Sequence, residues 1–365
     1  MRIGIGTGVT SPLCVGRNRT LRSLFRPSDA GFWLDPATIG TMSQDIAGAV
    51  PVSMFGQAVG RIVDRSGKGR HATQAVAAAR PTYARMPVGG RRNMLPNSGG
   101  SGAILGVIGS GGALPTGYAM AATLTRQVVE IGEIGGIPYF DIRLTGTLTG
   151  SYFVDLSPST AVPAADGQTW VSSIYAQFLG TVTGVSALTL TPSARTTAGA
   201  GKADYPSVSI GLPTSFTRFT TPAATLLNSI GAGTVQFFLG YLRLTCTGAV
   251  NVTLRFGGRQ VERANAATIF QTVNGAADIT QTGQASRFAL LDDLVDDTLA
   301  ATLPAGTYTV ATGDDDGVTI LTGQALSGAY TIPGPRRLYG ALVINRALKA
   351  TEIASLTVWL NARRP

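Results

Sequence analysis

The chain holds one histidine, His71, and its carboxylates gather late, at Asp292, Asp293, Asp296 and Asp297, then at Asp314, Asp315 and Asp316. Histidine-based hydrolysis would depend on His71 alone, and no G-x-S-x-G elbow or H-E-x-x-H helix surrounds it. A structural hydrogen bond is the expected role of this imidazole. Glycoside cleavage needs two carboxylates roughly 5 to 9.5 Å apart, and the aspartate groups are the candidates. Asp315-Asp316-Gly317, however, reads as a hairpin turn between strands near 307–311 and 318–322. Catalytic residues are therefore not expected, nor is an organic cofactor. A structural calcium fits these acids better than catalysis does, since calcium takes oxygen ligands from carboxylates and loop carbonyls. Residues 60–68 fail as a P-loop, because the spacing is wrong and Gly69 stands where Ser or Thr must meet magnesium. Gly4, Gly6 and Gly8 fail the dinucleotide fingerprint, the third glycine coming too early.

Non-covalent sugar recognition is the remaining chemistry. It needs exposed aromatic faces to stack on pyranose C–H groups, beside amides or carboxylates for the hydroxyls. The candidates are Tyr118, Tyr139, Tyr152, Trp170, Tyr175 and Tyr205, with Tyr205 expected to be exposed in the stretch GKADYPSVS. Trp33, Trp170 and Trp359 are expected in the core. Aromatic content of 7% argues against an extensive sugar platform.

The elements that would position these groups are strands. Val250, Val252, Leu254 and Phe256 alternate with Asn251, Thr253 and Arg255, the period-2 signature of a half-buried strand. Phe140, Ile142 and Leu144 alternate in the same way with Asp141 and Arg143. Val235, Phe237, Leu239 and Tyr241 keep one phase, whereas Leu242 and Leu244 take the other, so Gly240 is expected to be a bulge or bend. Near the C-terminus Ile353, Leu356 and Leu360 fall at i, i+3 and i+7, one apolar helical stripe. With 47 glycines and only 13% charged residues among 365, the chain suits a sheet-rich protein with many tight turns. Hydrophobic content of 44% excludes bulk disorder.

The formal charge of +9 is unevenly spread. Arg2, Arg17, Arg19, Arg22 and Arg26 all precede the first acid, Asp29, and a second basic cluster runs from Arg61 to Arg92. Without a stacking platform or a helix-turn-helix pattern, nucleic acid is not the expected partner. The basic clusters are expected to contact an acidic neighbour or an anionic polysaccharide, and the five early arginines are the docking candidates. No apolar run reaches the roughly 20 residues that span a bilayer, and the first residues lack the apolar core of a signal peptide, so no membrane insertion is expected. Cys14 and Cys246 are read as reduced thiols, since two cysteines make neither a disulfide framework nor a metal site.

Two motif sets resemble known families. Trp33, Asp35, Pro36, Gln44, Asp45, Gly48, Gly56, Gln57, Val59 and Gly60, followed by Asp64, Ser66, Gly67, Gly69, His71, Ala72, Thr73 and Gln74, then Arg80 and Pro81, resemble the opening of a concanavalin-A/laminin-G-like module of tailed-phage and prophage tail proteins. Arg92, Asn93, Leu95, Pro96, Asn97 and Ser98, with 114–117, 136–143, 166–170, 251–257 and 260–262, resemble carbohydrate-binding-module-like jelly rolls inserted in such proteins. Tyr118 departs from that pattern, where many relatives carry Trp. Residues 286–312 and 337–364 look like the resumed strand and the closing strand and helix of the first module. Its usual Ser cap is replaced by Lys349, three residues before Glu352, so the reciprocal capping box is expected to be lost.

The resemblances imply an all-β protein with two antiparallel β-sandwiches, a discontinuous laminin-G-like one and an inserted jelly roll. A docking arm is expected at 1–28, the first sandwich at 29–90 and 264–365, and the insert at 91–263. They further imply a virion-surface structural protein made in the bacterial cytoplasm, a tail-fibre, tail-tip or spike component. Its expected partners are other tail or head proteins, host cell-surface polysaccharide and further copies of itself. A decoration or adaptor protein with no sugar site is the alternative, and a polysaccharide depolymerase is disfavoured.

Overall fold

The computed structural model describes residues 21–156, 161–197, 200–333 and 336–365. The described residues are all-β apart from short 3-10 turns and one C-terminal helix. The principal strands are β1 (Gly31–Leu34), β2 (Thr125–Ile134), β3 (Ile137–Leu156), β4 (Thr169–Arg195), β5 (Thr217–Thr220), β6 (Phe237–Glu262), β7 (Leu299–Asp314), β8 (Val318–Ile332) and β9 (Arg337–Ile344), followed by helix α1 (Ala350–Asn361).

Two compact units share the chain. Unit 1 comprises the stretch up to Ser53, Ala58–Pro81 and Ala289–Arg364, and unit 2 comprises Met54–Gln57 and Thr82–Phe288. Residues 264–288, expected with the first sandwich, therefore belong to unit 2, as do 82–90. The hydrogen bonds give the reason. Asn93, fully buried, donates to the carbonyls of Arg259 and Gln271 and accepts the Val261 N–H, while Gln271 Oε1 accepts the Arg92 and Asn93 N–H groups. The stretch up to Gln271 is thus stitched to the start of the insert.

In unit 1, β9 lies between β1 and β7, and all eight of its residues are buried. β7 pairs in turn with β8 across the expected turn, where Asp314 N–H bonds Gly317 O and the Asp316 N–H bonds Asp314 Oδ1. Trp33, Ala311, Leu342, Ile344, Leu348, Leu356 and Leu360 form one core with Leu21. Residues 21–28 are accordingly no free arm. Leu21 opens a 3-10 turn and packs inward, and Arg346 ties the segment down through Leu24 O and Asp29. The remainder of the expected arm, with Arg2, Arg17 and Arg19, lies outside the described residues, as does Cys14; Arg22 and Arg26 are exposed.

Half of the helix cap survives the loss of serine. Glu352 Oε2 accepts the Lys349 N–H at 2.8 Å, and Arg346 grips the same carboxylate with two bonds of 2.8 Å. An ammonium cannot accept the N3 amide, so the Glu352 N–H turns to the Lys349 carbonyl at 2.9 Å, while Arg346 fixes the Glu352 carboxylate that caps the Lys349 N–H. Arg346, with help from the backbone amide, lowers the Glu352 pKa to about 2.

The Asp64–His71 turn explains its motif. The buried Asp64 carboxylate accepts the N–H groups of Trp33, Ser66, Lys68 and Arg70 and the Ser66 hydroxyl, at 2.7–3.1 Å. Gly67 and Gly69, at φ +86° and +72°, let the chain wrap around it. His71 Nδ1 accepts the Asp64 N–H at 3.1 Å, the expected structural role. Burial and the nearby Arg61 lower its pKa.

In unit 2 the order β4-β6-β3-β2 is antiparallel throughout. Phe140 faces Phe256, Ile142 faces Leu254 and Leu144 faces Val252, so the apolar phases of β3 and β6 meet on one side. With Ile174, Ala176 and Phe178 of β4 they build the main core. A second cluster surrounds Trp170, stacked on Phe238 with centroids 5.5 Å apart. Gly240 is not a bulge. The β4–β6 register runs unbroken past it, from Thr191–Tyr241 through Pro192–Gly240 to Ser193–Leu239. A Cβ on Gly240 would collide with Ser172 Oγ, so close approach is what requires glycine there.

Candidate functional site

The polar phase of the unit 2 sheet assembles a site on the face away from the core. Register places Glu130, Asp141, Arg255 and Gln177 side by side across β2, β3, β6 and β4. One step along, Gly132, Tyr139, Gly257 and Tyr175 make the next row, which Arg218 of β5 extends. Gly132 leaves room for a ring, and Gly257 lets the neighbouring backbone at Pro138 approach closely. A Cβ on Gly132 would come within 2.6 Å of Tyr139 Oη, so the phenol lies over that backbone.

Charge holds the arrangement together. Arg255 donates from Nε and Nη2 to the two oxygens of Asp141, both at 2.8 Å, and from Nη2 to Glu130 at 3.1 Å. Asp141 is 1% exposed, so this bidentate pair is shielded from water. The guanidinium sits 3.9 Å from the Tyr139 ring centroid, and the Tyr139 hydroxyl donates to Glu130 at 2.6 Å. That hydrogen bond, with burial, raises the Tyr139 pKa.

Phe216 caps the row, 5.4 Å from Tyr175 and 5.9 Å from Tyr139 between ring centroids. Arg218 lies 5.9 Å from the Tyr175 ring and donates to Ser173 Oγ and Thr268 O. The parts open to solvent are the half-buried Tyr175, Phe216 and Gln177 and the exposed Glu130, Arg143 and Asn251. Two aromatic faces beside carboxylate, amide and guanidinium groups can stack on a sugar ring and hydrogen-bond its hydroxyls.

The sequence-derived tyrosines divide. Tyr139 and Tyr175 come together here, although Tyr139 is buried beneath Arg255 and Phe216. Tyr118 and Tyr152 are core residues and cannot stack on a ligand. Tyr118 stands edge-on to Phe140 at 5.5 Å, and Tyr152 donates to Ala121 O at 2.7 Å, its pKa pushed up to about 12 by burial. Tyr205 is half-buried rather than exposed. It packs on the Trp170 cluster, and its hydroxyl accepts the Leu227 N–H at 3.1 Å. Trp33 and Trp170 are buried and Trp359 half-buried. Glu130, Phe216 and Arg218 were not anticipated. Arg255 and Asp141 were visible only as the polar phase of their strands, the signal that places them opposite the core.

Among the described residues one acidic group is compact enough for a cation. Asp292, Asp293 and Asp297 of unit 1 each offer an oxygen within 4.8 Å of the others. Their own loop already uses these oxygens. Asp297 accepts the Asp293 N–H, Asp292 accepts that of Leu294, and Asp293 accepts those of Val295 and Asp296. Burial and the neighbouring acids raise the pKa of Asp297 and Asp292, whereas backbone amides lower that of Asp293. Cys246 is buried, and burial raises its thiol pKa.

No protein-family model and no curated protein matches the chain. Among solved structures it is similar to an arabinose-bound α-L-arabinofuranosidase, at 14% identity and a TM-score of 0.34, over 48% of this chain and 27% of that one. It is similar to a C-terminal family 22 carbohydrate-binding module from Clostridium thermocellum, at 12% identity and a TM-score of 0.27, over 47% of this chain and 99% of the module. A tandem of two such modules from Paenibacillus barcinonensis gives 12% identity and a TM-score of 0.26, over 71% and 95%. At these scores any functional reading rests on the residues of this chain.

Proposed function

We propose that the chain is a structural protein of a tailed-phage virion, a tail-fibre, tail-tip or spike component that holds host-surface glycans without cleaving them. The observation that carries the glycan reading is the Tyr175–Phe216 pair beside the Arg255–Asp141–Glu130 network. Rings at the mouth supply the stacking surface, and charge pairing beneath them fixes their positions before any sugar arrives. Such preorganisation lowers the entropic cost of binding. The virion assignment is supported by the motif run from Trp33 to Gln74 and by exposed Arg22 and Arg26, available to an acidic neighbour in the particle. On this reading the protein is made in the host cytoplasm and ends at the virion surface.

Adhesion is favoured over hydrolysis because both oxygens of the buried Asp141 are taken by Arg255, which leaves Glu130 without a second free carboxylate beside it for glycoside cleavage. Two half-buried rings make a weak single site, which several copies in one particle would strengthen by avidity. The alternative, an adaptor with no sugar site, draws support from the burial of Tyr118, Tyr139 and Tyr152. Binding of the purified protein to host envelope polysaccharides, combined with size analysis of the bound polymer, separates the readings. Binding with unchanged chain length is expected. Shortened polymer would establish an enzyme, and absence of binding even by an oligomer would leave the adaptor.

A further inference from the structure

Unit 1 contains a second cluster of arginines and aromatics. Arg65 and Arg363 both donate to Oδ2 of Asp35, at 2.7 and 3.0 Å. Asp35 is 1% exposed, whereas the two arginine side chains are 32% and 34% exposed. Among the described residues neither guanidinium bonds a second carboxylate. Two permanent cations therefore share one anion, and the cluster keeps a net charge of +1 at the surface.

The guanidiniums are held in place by rings. Arg65 lies over Trp33 at 4.5 Å and Arg363 over Trp359 at 5.2 Å, and the two indoles meet edge-to-face at 5.9 Å. Both protein hydrogen bonds of Arg65 leave from Nη1, to Asp35 and Thr38, so its fork is only half used. Among the described residues two donors of the same cluster, Nε of Arg363 and Nε1 of the buried Trp33, have no acceptor at all. A buried donor without an acceptor is costly, and among the described residues this cluster supplies none for either atom.

We propose that Arg65 and Arg363 form an oxyanion site that takes the carboxylate or phosphate substituent of an acidic host polysaccharide. This rests on the glycan reading above and assigns its charged component to unit 1, apart from the aromatic face of unit 2. An oxyanion with two accepting oxygens suits the geometry, because guanidiniums fixed on rings offer forked donors without the entropic cost of ordering them.

The test uses the whole protein. Inorganic phosphate, an oligouronate and the same oligomer with its carboxyls reduced are titrated while the indole N–H and arginine Nε–H resonances are followed by NMR. The chain has three tryptophans, so the indole region is simple to assign. Phosphate and oligouronate should shift the Trp33 and Arg363 signals saturably, with the reduced oligomer binding about tenfold more weakly. Arg363→Gln should lose about tenfold in affinity for either anion. Asp35→Asn, which keeps an acceptor and removes the opposing charge, should tighten binding about threefold. A purely structural network would change stability in both variants without raising anion affinity in the second. Unshifted Trp33 and Arg363 signals, or equal affinity for the reduced oligomer, would overturn the proposal. Polysaccharide binding that is indifferent to both substitutions refutes the oxyanion site alone. Anion binding lost in Arg363→Gln, without polysaccharide binding by the intact protein, refutes the glycan reading alone.

Discussion

Replacing Arg255 by Met should be among the most damaging single changes in unit 2, and the structure says by how much. Asp141 is 1% exposed and receives both of its side-chain partners, Nε and Nη2, from Arg255 at 2.8 Å. Methionine fills much of the stem volume but leaves a carboxylate in the sheet with no counter-charge. An orphaned buried ion of this kind costs about 3–5 kcal/mol. Glu130, at 54% exposure, adds little, since its charge can turn to water. Removing both charges, as Asp141→Leu with Arg255→Met, takes away the desolvation penalty as well as the attraction. The double variant should therefore sit within about 1–2 kcal/mol of the parent. The cycle is read by urea unfolding, with fluorescence of Trp170 on Phe238 reporting unit 2. Arg255→Met costing under about 1 kcal/mol, or a double variant as unstable as the two singles summed, would refute the buried-pair argument.

Glu352→Gln tests the charge-based helix cap. The Glu352 pKa is lowered to about 2, so its stabilisation is present above the ordinary carboxylate range and lost as pH falls through about 2. The amide should cost about 1–2 kcal/mol at pH 7 by thermal melting, and the gap should close as the parent is acidified; a constant gap down to pH 2 would contradict this. Asp297→Asn tests the acid loop. Burial and neighbouring acids raise the Asp297 pKa, so its ionised form is penalised above that value and relieved as pH falls. Asparagine still accepts the Asp293 N–H, so the melting temperature at pH 7 should hold or rise, and a clear fall would show that the charge is needed. Calcium that stabilises the parent but not this variant would assign the three aspartates to a cation.

Much of the sheet was legible in the sequence because period-2 alternation reports which phase faces the core. Phe140, Ile142 and Leu144 and their partners on β6 are buried in the order the pattern predicts. The same rule held information that type-based reasoning passed over. Tyr152 shares parity with Phe140 on one continuous strand, and the register to β6 runs without slip from Tyr139–Gly257 to Val154–Leu242. Parity alone therefore puts Tyr152 in the core and Tyr139 on the opposite face. Gly240 shows the limit of local reading. The glycine is required by the close approach of Ser172 on the neighbouring strand, which no sequence window contains. Phe216 and Arg218 were hidden for a similar reason. They reach the site because β5 pairs with β4, setting Arg218 against Tyr175 across more than 40 residues of chain, and no alternation announces that pairing. At Glu352 the motif rule described one half of the cap only: the serine half is absent, whereas the glutamate half persists because Arg346, outside the helix, holds the carboxylate in place.

The measurement closest to the central claim is polysaccharide binding by the parent protein and by Tyr175→Ala, each in the same oligomeric form, with polymer size followed before and after. Tyr175 is half-buried on the polar face, so its loss should leave unit 2 folded. Adhesion through the Tyr175–Phe216 face predicts parent binding weakened about tenfold in the variant, at about 1.5 kcal/mol for one stacking ring, with polymer length unchanged in both. Equal binding by the two proteins would place the sugar elsewhere, and shortening of the polymer by the parent would contradict adhesion outright.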